Sequence, residues 1–136
     1  MYLVCNKGYT MVGFERVNFR TYKIKLKVIR EKDTKLIEIK GPDYDSSIEI
    51  LNIVIDILDK INNQREDQEK LYLEEIVYIE PSYNESLLLE GYSTPPYWHI
   101  YLIDGRNRKY LVLFNKIPED IEEGIRKFEF MHDLNF

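Results

Sequence analysis

The chain has few of the residues that crosslink or interrupt a small protein. It contains one cysteine and no alanine, with six glycines and five prolines among its 136 residues. A single thiol cannot form an internal disulfide, and this glycine and proline content excludes a collagen-like or low-complexity chain. A chain of this length buries roughly two thirds of the surface that its unfolded form exposes. We therefore predict one domain over residues 1–136, stabilised by its own hydrophobic core.

Long hydrophobic runs are also missing. The most apolar stretch, residues 48–61, contains Glu49, Asp56 and Lys60 among other polar residues, and it is too short and too charged to cross a bilayer. The first residues lack the basic and apolar regions of a secretory signal. Because a lone thiol also suits a reducing compartment, we predict a cytoplasmic protein that does not contact a membrane.

The net charge of −5 conceals an uneven distribution along the chain. Residues 1–40 contain ten Lys or Arg and four Asp or Glu, a net charge of +6, whereas residues 41–136 contain nine and twenty, a net charge of −11. Such a division either attracts charged partners or is neutralised within the fold, when basic strands lie near acidic residues. Of the two we favour neutralisation within the fold.

Strict alternation in residues 22–28 predicts a strand with apolar side chains on one face and three lysines on the other. Residues 35–40 alternate as well, so the two segments are expected to pair as an antiparallel hairpin with Glu38 facing a lysine. Further strands are predicted at residues 2–5, 9–14 and 73–80, the first two joined by a turn at Asn6-Lys7-Gly8.

Residues 97–104 and 108–114 predict a second hairpin, with Gly105 at a turn position of positive φ. A two-residue turn would place Trp98 on one face with Leu111 and Leu113, whereas a three-residue loop would exchange the faces of the second strand. In either case Trp98 is expected to be a core anchor. The two-residue turn groups Tyr97, His99 and Tyr101 with Tyr110, Val112 and Phe114.

Two helices complete the prediction. Ser46 and Glu49 have the spacing of a capping box, and after them polar residues recur at helical spacing. Near the C-terminus, Pro118 is expected to be the first residue of a second helix, with acids in its first turns and Gly124 at a close approach. The predicted fold class is α+β: an antiparallel sheet of about five to seven strands, with one long central helix and a C-terminal helix packed on it. The polar stripe of the first helix comprises Glu49, Asn52, Asp56, Asp59 and Asn63.

Motifs for catalysis and for metal binding are absent from the sequence. It contains no glycine-rich phosphate loop, no G-x-S-x-G, no paired cysteines and no His-x-x-x-His. Cys5, His99 and Asp104 are too far apart in sequence to indicate a nucleophilic site, and two histidines do not complete a metal site. We predict a protein that is not an enzyme, with no catalytic residue, cofactor or metal.

Tyrosine and histidine combine large contact area with polar tips, which suits a protein-binding surface, and an acidic helix start can bind a basic groove of another protein. The leading hypothesis is a non-catalytic protein-binding module: a small acidic inhibitor, an immunity protein or a viral protein that blocks a host partner. The candidate partner-binding residues are Tyr92, Tyr97, His99, Tyr101, Arg106, Glu119, Asp120, Glu122 and Glu123.

Two alternatives remain at the level of the sequence. The first is a small-ligand or nucleotide-binding domain, with a pocket between Tyr97, His99, Tyr101 and residues 82–96. The second is a nucleic-acid binder, which the acidic net charge disfavours. Its candidate residues are Lys23, Lys25, Lys27, Arg106 and Arg108.

Overall fold

The structure, a computed structural model, describes residues 5–18, 22–79 and 98–135, with only the backbone of Cys5 and Asn6. It has the predicted α+β fold, with two helices and one 3₁₀ turn, Asp67–Glu69, in these residues. The helices are α1, Tyr44–Asn62, and α2, Ile121–Phe128. The strands are β1 (Cys5–Asn6), β2 (Tyr9–Arg16), β3 (Ile24–Arg30), β4 (Lys35–Gly41), β5 (Leu71–Tyr78), β6 (Trp98–Asp104), β7 (Lys109–Phe114) and β8 (His132–Asp133).

The described strands form one sheet in which each strand lies beside its neighbours in sequence, from β1 to β8. All neighbouring strands are antiparallel except β4 and β5, which are parallel. Parallel neighbours need a long crossover connection, and α1 provides it. The prediction of an antiparallel sheet is thus correct apart from this pair. The six longer strands fall within the predicted number, and β1 and β8, of two residues each, extend it.

One face of the sheet is covered by both helices. Leu26, Ile39 and Ile100 from the sheet pack against Ile50 and Val54 from α1, and all five side chains are fully buried. On the opposite face, which we call the open face, no described helix packs against the strands, and its side chains are mostly charged or half-buried, with Leu36 half-exposed. This is the arrangement by which an antiparallel sheet buries one side and leaves the other to solvent.

Both helices begin at an aspartate that sequence spacing did not identify. Asp43, in extended conformation, accepts a hydrogen bond from the backbone N–H of Ser46 at 2.7 Å, so α1 starts at Tyr44 and not at the predicted Ser46 cap. Asp120 accepts from the N–H of Glu123 at 2.8 Å, so Pro118 precedes α2 and is not its first residue. A cap needs a side-chain oxygen ahead of the first turn, and the aspartates provide it where the chain leaves the extended conformation.

The loop between β6 and β7 differs from the predicted turn. Ile103 pairs with Lys109, and the N–H of Asp104 donates to the carbonyl of Arg108, which leaves three residues in the loop. The positive φ, 64°, falls on Asn107 and not on Gly105. A Cβ on Gly105 would instead lie 2.9 Å from the backbone of Gln68, so glycine is required there for close approach.

The longer loop exchanges the faces of the second strand of this hairpin. Trp98 lies opposite Phe114 and Ile100 opposite Val112, whereas His99 lies opposite Leu113 and Tyr101 opposite Leu111. The grouping derived from a two-residue turn was therefore wrong. The reason is geometric, since one extra loop residue moves every following side chain to the other face.

On the side that faces β4, the amino end of β5 is hydrogen-bonded by side chains in place of a strand. The two strands pair only over residues 75–77 of β5. On its other side β5 pairs with β6, with a bulge between Leu73 and Glu75. The N–H of Leu73 donates to the hydroxyl of Tyr9 at 2.8 Å, and its carbonyl accepts from Arg30 Nη1 at 2.8 Å. These side chains satisfy buried backbone groups that would otherwise be costly to leave unbonded.

The substitution Tyr9→Phe tests this arrangement. It leaves the N–H of Leu73 without its acceptor, so we expect the free energy of unfolding to fall by about 1–3 kcal/mol at neutral pH. Burial raises the pKa of Tyr9 from 10.0 to about 12. Because the unfolded hydroxyl ionises first, the wild-type chain loses stability as the pH rises from 10 to 12, and the variant lacks this loss. Urea denaturation at neutral pH and above pH 10 should therefore show a difference in the free energy of unfolding between wild type and variant that narrows as the pH rises. A difference that does not change with pH would contradict the raised pKa of Tyr9.

Candidate functional site

The predicted partner-binding residues do not form one surface. His99 and Tyr101 alternate with buried residues of β6 and therefore lie on the open face, whereas Glu119, Asp120 and Glu122 lie in the helical layer on the opposite side of the sheet. Arg106 lies at the tip of the β6–β7 loop. Tyr92 and Tyr97 fall outside the described residues.

On the open face, the basic strand is neutralised by neighbouring carboxylates. Lys25 Nζ lies 3.5 Å from Glu15 and 3.4 Å from Glu38, and Lys27 Nζ lies 3.6 Å from Glu15. Hydrogen bonding to Glu38 raises the pKa of Lys25. In the same way Lys40 binds Glu75, at 3.0 Å. Lysines held by carboxylates offer less free positive charge to a nucleic acid backbone than the sequence pattern suggested; Lys23, ahead of β3, is exposed.

A shallow groove of about 320 Å³ on the open face includes Tyr101. It lies where β4 and β5 separate, and Glu38, Glu75 and Lys35 are among its walls. His99 does not line it, and residues 82–96, the other wall of the predicted ligand pocket, lie outside the described part of the chain. Of the two described side chains on which the ligand-binding alternative depends, His99 and Tyr101, the groove therefore contains one.

Arg106 and its neighbours shape the loop. Its guanidinium donates to Gln68 Oε1 at 2.9 and 3.1 Å. The buried Asp104 accepts from the backbone N–H groups of Arg106, at 2.8 Å, and of Arg108, at 2.9 Å. These bonds give Asp104 a structural role in the turn, as expected for a carboxylate that caps backbone donors.

A shallow, open depression lined by several carboxylates lies between α1 and α2, and we call it the acidic groove. Its volume is about 670 Å³, and none of the described residues that line it is Lys, Arg or His. Its two sides were visible in the sequence as separate features, the polar stripe of α1 and the acidic start of α2, but nothing there placed them together. It is lined by the carboxylates Glu49, Asp56, Glu119, Asp120 and Glu122, with Asn52, Ile53, Pro118 and Ile121 between them.

Close packing of the two helices brings these carboxylates together. A Cβ on Gly124 of α2 would overlap the Ile57 side chain of α1, so glycine at this position permits the approach that the sequence predicted. Phe128 of α2 packs against Phe114 of β7 with ring centroids 6.1 Å apart, which holds α2 on the sheet. The helices therefore form a fixed wall on each side of the groove.

The groove carboxylates differ in what they bind. Lys7 Nζ lies 2.9 Å from Asp56 Oδ1, and Lys60 Nζ lies 2.5 Å from Glu122 Oε1. Glu49 makes no ion pair with any described residue. Glu119, 82% exposed, is 3.8 Å from Lys116. Of the four acidic residues predicted to bind a partner, Glu123 is the one that does not line the groove; its side chain accepts a hydrogen bond from the N–H of Glu119.

Metal-ligand clusters and membrane-spanning helices are both missing from the described part of the chain. In these residues no three side chains of His, Cys, Asp or Glu are grouped as a metal ion would require. Among the helices described, none is long and apolar enough to cross a membrane. The second histidine, His132, is exposed on the edge strand β8.

The chain was compared with protein-family models, with curated proteins and with solved structures. None of the three comparisons found a match. Its function is therefore inferred from the geometry of its own surfaces.

Proposed function

We propose that the chain is a non-catalytic protein-binding module that binds a basic segment of another protein in the acidic groove. The observation that carries the proposal is the concentration of five carboxylates around apolar side chains in one groove between two packed helices. Charge of one sign along a groove attracts an oppositely charged partner and favours its correct orientation. A small acidic inhibitor that covers the basic surface of its partner would act in this way.

The chemistry of the groove limits the kind of segment that fits. Ile53 and Ile121 contribute apolar contact between the carboxylates. A partner must therefore present lysines or arginines beside aliphatic side chains, as an amphipathic basic helix does when it lies in a groove. Apolar contact contributes affinity, while the charges contribute selectivity and the association rate.

A double charge reversal tests the proposal. Glu49→Lys combined with Glu119→Lys places like charges against a basic partner, and neither side chain supports the fold. We expect affinity for a synthetic helical peptide, with leucine on one face and lysine on the other, to fall by about tenfold or more. Fluorescence anisotropy of the labelled peptide measures this affinity. Binding of the peptide to the wild-type chain should also weaken as the salt concentration rises.

The matched control is Glu66→Lys combined with Glu129→Lys. Both side chains are exposed, lie outside the groove and give the same change in net charge. If both double variants weaken binding equally, the effect is one of overall charge and the groove is not the site. The same pair of variants applies to partners purified with the native chain: a partner of the groove is lost with the first variant and retained with the second.

A further inference from the structure

The β1–β2 turn places a basic side chain of the chain itself against Asp56, one of the carboxylates that line the acidic groove. Asn6 pairs with Tyr9, which leaves Lys7 and Gly8 as the two central turn residues, with φ of 46° and 96°. Positive φ at both positions is characteristic of a type I′ turn. The turn directs Lys7 onto α1, where its Nζ lies 2.9 Å from Asp56 and 3.7 Å from Asp59.

Lysine is a poor residue for this position of the backbone. A non-glycine residue with positive φ is uncommon, and Asn and Asp adopt it more readily than Lys does. The ion pairs of Lys7 are exposed, with 44% of its side chain accessible, and exposed pairs contribute little to stability. Neither the turn geometry nor the stability of the fold therefore explains why residue 7 is a lysine. Its contact with Asp56, a carboxylate of the groove, would in contrast affect the binding of a partner.

We propose that Lys7 is an intramolecular competitor that occupies the Asp56 position of the acidic groove and must be displaced by the basic segment of a partner. This inference rests on the proposed function and adds to it an autoinhibitory contact. Asp56 lines the groove and already binds the ammonium group of Lys7. An ammonium group of a partner that approaches Asp56 must therefore compete with Lys7. Hydrogen bonding to Asp56 raises the pKa of Lys7, so the competitor is charged throughout the physiological pH range.

The test is Lys7→Asn, measured with the leucine–lysine peptide on the full chain. Removal of the competitor should tighten binding by about two- to five-fold, the range that exposed ion pairs typically contribute. The melting temperature should not fall, because asparagine suits the turn better than lysine. Lys7→Arg, which retains the cation, should keep the wild-type affinity.

Lys27→Asn is the matched control. Lys27 is 39% accessible, close to the value for Lys7, and it binds Glu15 on the open face. Both variants change the net charge equally, so equal gains in affinity would overturn the competitor role while leaving the groove as the binding site. A lower melting temperature for Lys7→Asn with unchanged affinity would also overturn the competitor role, because the ion pair of Lys7 would then be purely structural. A wild-type chain that does not bind the peptide overturns both proposals.

Discussion

Replacing Arg30 by methionine is expected to lower the free energy of unfolding by about 3–5 kcal/mol, as measured by urea denaturation. Arg30 is 3% exposed, and its guanidinium binds both oxygens of Asp33, at 2.9 and 2.6 Å. The remaining nitrogen donates to the carbonyl of Leu73 at 2.8 Å and to Glu74 at 2.9 Å. Methionine keeps much of the apolar stem, so the loss reports the weaker pairing of Glu74, which keeps Lys35 at 3.3 Å, and the unbonded carbonyl of Leu73.

Lys25→Met is the comparison for this substitution. Lys25 also binds two carboxylates, but at 3.4 and 3.5 Å on the open face, where ion pairs contribute about 0.2–1 kcal/mol. If the two variants lose the same stability, burial does not strengthen the Arg30 interactions and the assigned role is wrong.

The Arg30 variant should also change the response to acid. Hydrogen bonding to Arg30 lowers the pKa of Asp33 from 3.8 to about 2. A carboxylate with a lowered pKa contributes stability above pH 3.8, and that contribution disappears as the pH falls through 2. The difference in stability between wild type and Arg30→Met should therefore shrink between pH 4 and pH 2. A difference that stays constant across this interval would exclude the Arg30–Asp33 pair as its source.

Trp98→Ala has the other large expected effect, a loss of about 3–5 kcal/mol in the free energy of unfolding. Trp98 is 4% exposed, its ring centroid is 5.1 Å from that of Tyr78, and it lies against Gly41 where β4 ends. Truncation removes the largest side chain from the core at the junction of β4, β5 and β6. Far-UV circular dichroism during urea denaturation measures the loss, since the variant has no tryptophan fluorescence.

Tyr101→Ala is the control for Trp98→Ala because the two residues lie on opposite faces of the same strand. Tyr101 is half-buried on the open face, so its truncation should cost much less. Comparable losses would mean that the open face is packed as tightly as the core, and the two-sided description of the sheet would then fail.

The β3–β4 hairpin shows how far sequence pattern can predict this fold. Strict alternation placed the three lysines and Glu38 on one face, and the structure pairs Lys27 with Glu38. Trp98 as a core anchor and Gly124 as a close approach were likewise confirmed. Each of these predictions uses either the local periodicity of the chain or the size of one side chain. Both kinds of information can be read without knowing which distant residues are in contact.

The errors occur where one residue of register or a distant contact decides the outcome. The β6–β7 loop has three residues, and this single residue exchanges the faces of β7. Gly105 is required by the backbone of Gln68 and not by its own φ, a reason that the local sequence does not contain. The caps at Asp43 and Asp120 were missed because neighbouring serines and a proline have the same local signals.

The candidate site could be predicted only in halves. The acids of α1 and those around the start of α2 were both visible in the sequence, but they are separated by more than sixty positions, as Asp56 and Glu122 show. The packing of α2 beside α1, with Gly124 against Ile57, brings the two sets into one groove. The contact of Lys7 with Asp56, across 49 residues, depends in addition on the turn that directs the lysine toward α1.

The sequence by itself determined the α+β class, the alternating strands and the amphipathic helices, because periodicity acts through neighbours a few residues apart. The tertiary structure decided that the lysines of β3 are neutralised on one face of the sheet while the carboxylates converge on the other. Charge patterns along a chain do not specify which distant groups meet. That choice follows from how helices and strands pack, since Coulomb attraction between exposed groups is weak beyond a few ångströms.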